Sequence, residues 1–482
     1  MKRRSKIAIT AAVIIVALPV FILVGAEIVL NSTGVKSEIE NIVGEALEME
    51  FKIEGRIDIR FFPLISLAAN DVTVGIKTGP IASADQIVID PRLAPLLNLD
   101  VEIEKAHLQH PRLTFNSQAI DKIMALINAE SDGPLPVESL RIESFSISSG
   151  GFTYTDDQTL VDFNEMNFRG GRIDIIDNRE AIIDDISGFF RAISFTGDIT
   201  ARQISSRHFD IENLNAKLIS KNGLITADPI ELEYFGEQTR LGLDWDLRTN
   251  IEIIQMRVEM PDLNVGRMLK RTDENDIFNG LLKLKGEFEA RGADRSEMVK
   301  NVSGSFIMQG TNLTLKGVDF DKALDEFGKM GAYGFNDFAA LITLGPLGTV
   351  VSHGYDQLEA LEKMMAAEGD SMIQQLVSDW KVKKGVAHAS DVAFSTQRHR
   401  VAIAGSLDFP NTRYRNVTIA VVDANGCIVN KEIVDGPFEN PEVEETGVIQ
   451  RTVIRPLKKY LKPECEPFYD GSVSHPSPAQ KK

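Results

Sequence analysis

Seven histidines and two cysteines are the residues from which a metal or nucleophilic site would have to be built. His107 and His110 lie three apart in a stretch of strand-like alternation. On a strand, positions i and i+3 face opposite sides, so the pair reads as edge or surface histidines and not as two ligands of one ion. Ser352 and His353 adjoin but lack the G-x-S-x-G turn that would present a serine nucleophile. Asp156-Asp157 and Asp184-Asp185 have no EF-hand spacing and read as solvated loop carboxylates. No P-loop or dinucleotide fingerprint occurs. The expectation is a protein that is not an enzyme, with no catalytic residue, cofactor or metal site. Cys427 and Cys465 fit no CxxC or Cys/His ligand spacing. If the body lies outside the cytoplasm, a disulfide between them is the natural reading, with two unlinked thiols as the alternative.

The compartment is read from the N-terminus. Ile7 to Gly25 is uncharged and apolar, and Ala26 and Ile28 to Leu30 extend the run past Glu27. At 1.5 Å rise per residue this approaches the ~30 Å of a bilayer's hydrocarbon core. Lys2, Arg3, Arg4 and Lys6 precede it, an asymmetry that keeps the N-terminus cytoplasmic and exports the remainder. A cleaved signal peptide is the competing reading, since Val24-Gly25-Ala26 offers small residues; the length of the apolar run favours a retained anchor. The formal charge is −18, and removing the four N-terminal cations leaves the body at −22. A surface that acidic repels phosphate backbones, so nucleic acid is not an expected partner.

The elements that follow are mostly strands. Asn31-Ser32-Thr33 heads a helix through about Leu47, with apolar Val35, Ile39, Ile42, Val43 and Leu47 on one stripe. Period-two alternation then sets in at Phe51, Ile53, Ile57 and Ile59, and again at Val72 to Ile76 and at Ile87 and Ile89. Val101–Asn116 aligns without gaps on Leu140–Thr155, 39 residues on, pairing Val101 with Leu140, Ile103 with Ile142, Ala106 with Phe145, Leu108 with Ile147, Leu113 with Phe152 and Phe115 with Tyr154. In both copies the alternation slips by one residue between Ile103 and Ala106 and between Ile142 and Phe145, which predicts a β-bulge. A helix over Gln118 to Ala129 separates the copies. Alternation recurs from Phe195 to Leu315 and from Trp380 to Val422, with a helical stretch between them that includes Met372 to Val377. Repeated units of this kind suggest an elongated stack.

Several of these pieces are similar to the AsmA family: GRIDIRFFPLISLAANDVTVG (Gly55 to Gly75), IASADQIVIDPRLAPLLNLDVEIEKAHLQHPRLTF (Ile81 to Phe115), the block from Gly280 to Leu324, and the run around Cys427 and Cys465. The stretch 320–378 does not match and reads as an insertion. The resemblance implies a mainly β protein with a long, curved, repetitive sheet (a β-taco-like groove) behind an N-terminal transmembrane helix. It also implies a Gram-negative inner-membrane location with a periplasmic body, and a role in phospholipid transport or outer-membrane homeostasis.

The expected division is a basic segment 1–6, an anchor 7–30, a helix-and-strand region 31–130, a repetitive β-region 131–319, a helical insertion 320–378, a C-terminal β-region with the cysteine pair 379–469, and a disordered tail 470–482. Candidate groove-lining residues are Ile57, Ile59, Val101, Ile103, Leu140, Ile142 and Ile253. Half-buried strands also alternate when they pack on a closed core, so the pattern alone leaves groove and core open. Phospholipid acyl chains and the inner membrane are the expected partners. The alternative is an outer-membrane protein assembly or targeting factor with outer-membrane or periplasmic protein partners and no lipid conduit.

Overall fold

The computed structural model describes residues 31–47, 49–60, 65–76, 79–92, 100–116, 139–155, 160–175, 193–206, 210–234, 236–264, 278–316, 319–325, 369–438, 441–444 and 465–476, with 29, 95, 191 and 266. The span expected at 7–30 lies outside them but for Val29, as do the helix at 118–129, residues 326–368 of the insertion, Asp156, Asp157, Asp184, Asp185, Ser352 and His353. Among the described residues no helix is long and apolar enough to cross a membrane. The chain is mainly β and forms two compact units, one of residues 1–236 with 246–248, the other of residues 237–245 with 249–482.

In the first unit, helix α1 (Thr33–Leu47) precedes β1 (Glu50–Ile53), β2 (Ile57–Arg60), β3 (Ser66–Ile76), β4 (Gly79–Arg92), β5 (Asp100–Gln109), β6 (Arg112–Asn116), β7 (Ser139–Ile142), β8 (Phe145–Thr155), β9 (Leu160–Gly170), β10 (Ile173–Ile175), β11 (Ile193–Ser206), β12 (Asp210–Lys221) and β13 (Leu224–Tyr234). β1 and β2 together flank β3, which pairs with β4. β4 then pairs with β5 and β6, which run parallel to β7 and β8. β8 and β7 pair with β9 and β10, and these with β11, β12 and β13 in turn.

The parallel junction explains the internal repeat. Val101 stands opposite Leu140, Ile103 opposite Ile142, Ala106 opposite Phe145, Leu108 opposite Ile147 and Leu113 opposite Phe152. The two copies are neighbours in register, so equivalent positions meet the same environment. The bulge expected between Ile103 and Ala106 is present: Lys105 faces Asp90 and Ile103 faces Pro91, leaving Glu104 unmatched. That extra residue returns Ile103 to the face of Ala106.

The outer edge of β1 and β2 is closed by α1. Asn31 gives its amide to the Ile57 carbonyl and takes the Ile57 N–H, Lys36 Nζ donates to Gly55 O, and Glu40 accepts from Ile53 N. These bonds satisfy edge groups that would otherwise invite another strand. Ile39 of the same helix packs on Ile53, Ile57 and Val72.

The second unit contains β14 (Glu237–Asp246), β15 (Glu252–Asn264), β16 (Phe278–Asn279), β17 (Leu281–Gly292), helix α2 (Arg295–Lys300), β18 (Ser303–Lys316), helix α3 (Phe320–Asp325), β19 (Asp370–Lys383), β20 (Val386–Ser395), β21 (Arg400–Asp408), β22 (Arg413–Val422), β23 (Ile428–Pro437) and β24 (Glu442–Glu444). From β17 onward these follow one another as an antiparallel meander, with β15 on the other side of β17. α2 is capped by Asp294, whose carboxylate accepts from Glu297 N.

Two expectations need correction here. Met372 to Val377 is not helical but lies within β19, paired with β18 on one side and, from Gln375 onward, with β20 on the other. Its clustered apolar residues fit a helix turn, but pairing on both edges outweighs so short a local preference. The segment after Tyr469 is not a disordered tail over 470–476. Val473 is buried, Ser472 donates to Asp391 from both N and Oγ, and Ser474 N donates to Gln375. The sequence reading also does not anticipate β9, β10, β23 or β24.

Candidate functional site

Asp71, His110, Ser149, Glu165 and Asn213 all take φ between 47° and 51°, the left-handed region, within or between the strands of the first unit. They fall in one line across the sheet. Asp71 and Asp85 sit between the pairs Asn70–Gln86 and Val72–Ala84. The Asp85 carboxylate lies 2.9 Å from His110 Nδ1. Ser149 follows His110 at the 39-residue repeat spacing and donates its N–H to Asn167 Oδ1. Glu165 pairs with Arg202, and Asn213 lies between the pairs Ala201–Leu214 and Gln203–Glu212. A left-handed residue kinks its strand and shifts the alternation by one, so positions an odd number apart come to share a face. Ala69 and Val72 show this outcome, since residues from both sides of the line pack in one cluster with Ile53, Ile57 and Ile87.

On either side of this polar line runs a row of directly opposed apolar residues. One row passes from Ile57 through Ala69, Ile87, Leu108, Ile147, Phe168, Ile199 and Ala216 to Ile230. The other passes from Phe51 through Val74, Ala82, Leu113, Phe152, Phe163, Ile204 and Ile211 to Tyr234. No polar side chain interrupts either. Most members from Ile87 onward are half-buried, while Ile204 and Ala216 are buried. On β9, β11 and β12 the reverse face is exposed and charged, as in the cross-strand succession Arg169, Asp198, Lys217. A sheet with one charged face and one half-open apolar face can hold an apolar ligand along its length.

The second unit contrasts with this. Leu376, Phe394, Val401 and Val421 form an opposed row that is buried, with Val401 at 0% exposure. On the reverse face Val377, Ala393, Ala402 and Ala420 are covered by Tyr469 and Val473, with Phe468 alongside. The Cys427–Cys465 disulfide, with Cα atoms 6.1 Å apart, tethers that covering segment. Asp391 receives the Tyr469 hydroxyl at 2.6 Å, and Arg400 donates to Val473 O and Asp423 O while its guanidinium stacks on the Tyr469 ring. Burial acts to raise the Asp391 pKa, but hydrogen bonds from Ser472 and Tyr469 outweigh it and hold the carboxyl below its ordinary value.

The candidate lining residues sort by register. Ile57 and Ile59 lie on the apolar face of the first unit, opposite Ala69 and Leu67. Ile103 and Ile142 are opposed to each other there, and the backbone positions of Val101 and Leu140 are matched in the same way. Ile253 does not belong with them. It faces Arg291 on the side of Gln255, Arg257 and Glu259, while Ile254, Met256 and Val258 form the apolar face of β15. In the run Ile251 to Val258 two isoleucines adjoin, and only the pairing decides which one faces inward. His107 and His110 do not converge: the first meets Ser146 Oγ and the second Asp85. Among the described residues no group of three His, Cys, Asp or Glu could hold a metal ion.

The first unit thus presents an apolar face crossed by a line of polar kinks. The comparison with known families narrows this: residues 1–187 match the model of the AsmA family. The resemblance carried by Gly55–Gly75 and Ile81–Phe115 is therefore shown over that part of the chain, whereas the block from Gly280 and the run around Cys465 lie beyond it. No curated protein and no solved structure matches the chain.

Proposed function

We propose that this chain is a non-enzymatic lipid carrier anchored in the inner membrane of a Gram-negative cell, and that the apolar face of its first unit shields phospholipid acyl chains in the periplasm on the way to the outer membrane. The observation that carries the reading is the pair of uninterrupted apolar rows across nine ranks of strands, most members of which are half-buried from Ile87 onward. At about 4.8 Å per rank such a wall is on the order of 38 Å long. That exceeds the roughly 15 Å of one leaflet, half of a ~30 Å hydrocarbon core. Burial worth about 0.8 kcal/mol per methylene would hold a chain while its headgroup stays in water. A disulfide suits an oxidising compartment, and the basic-then-apolar N-terminus suits an anchor facing it.

Photo-crosslinking in intact cells tests the reading. A benzophenone side chain at Leu108, on the apolar row, is expected to yield phospholipid adducts by mass spectrometry. The same probe at Lys217, on the charged face, is expected to yield none. Absence of adducts at Leu108, or equal labelling at both sites, would overturn the proposal.

A further inference from the structure

Two glycines lie abreast on the apolar face: Gly170 of β9 stands opposite Gly197 of β11, with Phe145 of β8 on the other side of Gly170. Neither has φ in the left-handed region, so the backbone there would accept any residue. Glycine inside central strands weakens a sheet, and two together need a reason. The reason is space. The outer end of the Phe168 ring, two residues before Gly170, occupies the space over both glycines. A Cβ on Gly170 would stand 2.5 Å from its Cε1, and one on Gly197 would overlap its Cζ and Cε2. The Phe145 and Phe195 rings flank it with centroids at 5.9 Å and 6.1 Å. All three rings are half-buried and border the open face.

We infer that Gly170 and Gly197 form a recess that keeps the Phe168 ring down against the wall, and that this recess sets the room an acyl chain has where it crosses β9 and β11. The inference rests on the groove reading. A ring seated over the glycines takes the space their missing side chains leave, beside Ile147 and Ile199, whereas a ring displaced by a new side chain must project into the path of the chain. An aromatic ring over strand glycines also repairs the sheet, and that role alone would leave lipid passage untouched when the ring is raised.

The experiment places the crosslinking probe at Ile87 or at Ile230, on the two sides of the recess, in the full-length chain with and without Gly197→Val. The native recess is expected to give lipid adducts at both probes. Gly197→Val, a residue well suited to strands, is expected to keep adducts on one side and lose them on the other. Adding Phe168→Ala is expected to restore both. Should Gly197→Val fail to accumulate, Gly170→Ala adds a single methyl to the same recess and is expected to weaken adducts on one side. A folded Gly197→Val chain that crosslinks at both probes like the parent, or a loss that Phe168→Ala does not reverse, would overturn the inference. No adduct at either probe in the parent chain would instead refute the groove itself, and the recess with it.

Discussion

A charge placed on the apolar row separates an open groove from a closed core. Ile199 is half-buried between Phe168 and Ala216, whereas Val401, between Phe394 and Val421, has 0% exposure. Ile199→Asp loses part of an isoleucine's burial, about 1–2 kcal/mol, while its carboxylate still reaches water. Val401→Asp must desolvate an unpaired carboxylate, which costs several kcal/mol. Ile253→Asp supplies the outward control. It faces Arg291 across β15 and β17, so it should change stability by less than about 1 kcal/mol. Guanidinium melts of the three variants give the stabilities, and mass spectrometry of lipid crosslinked at Leu108 gives the occupancy. The expected result is an Ile199→Asp chain that is folded but depleted of lipid, a Val401→Asp chain that is strongly destabilised, and an Ile253→Asp chain like the parent. If Ile199→Asp loses as much stability as Val401→Asp, the face is a sealed core and not a groove. An Ile199→Asp chain that keeps the parent's lipid would refute the groove equally.

Two further outcomes concern the covering segment of the second unit. The Cys427–Cys465 bond closes a loop of 38 residues, so replacing both cysteines by serine should lower stability by about 3–4 kcal/mol and speed hydrogen exchange at 468–473, read by mass spectrometry. The folded Asp391 pKa is below its unfolded value, so its contribution is fully present above the ordinary carboxylate range and is lost as pH falls through the lowered folded value. Protection of Tyr469 and Val473, taken as the intrinsic exchange rate divided by the observed rate at each pH, should accordingly fall in acid for the parent chain but show a weaker pH dependence in Asp391→Asn. An unchanged pH profile in that variant would show that Asp391 does not govern the docking.

Much of this architecture follows from local chemistry. Alternation marks most strands because a strand with one apolar and one polar face must repeat every two residues. The 39-residue repeat carried the register of β5 and β6 against β7 and β8, since parallel neighbours present equivalent positions to one another. The slip at Glu104 announced its bulge for the same reason. For an exported body a disulfide between Cys427 and Cys465 is the natural reading, with unlinked thiols as the alternative, and the two are joined.

Tertiary structure decided the rest where a local pattern was ambiguous or interrupted. β9 escaped because the left-handed Glu165 shifts the alternation between Phe163 and Phe168, so the strand matches no single period. Met372 to Val377 reads as a helix until β18 and β20 pair with both of its edges. Ile253 and Ile254 are chemically identical, and the pairing with Arg291 and Ala290 alone assigns them to opposite faces. The docking of 470–476 depends on Asp391, far away in sequence, offering its carboxylate to Tyr469 and Ser472. The line from Asp71 to Asn213 exists only across strands, because the residues that bend a sheet are adjacent in space and scattered along the chain. Composition and period therefore determined what each segment is, while the pairing of distant segments determined which face each residue shares and whether that face stays open.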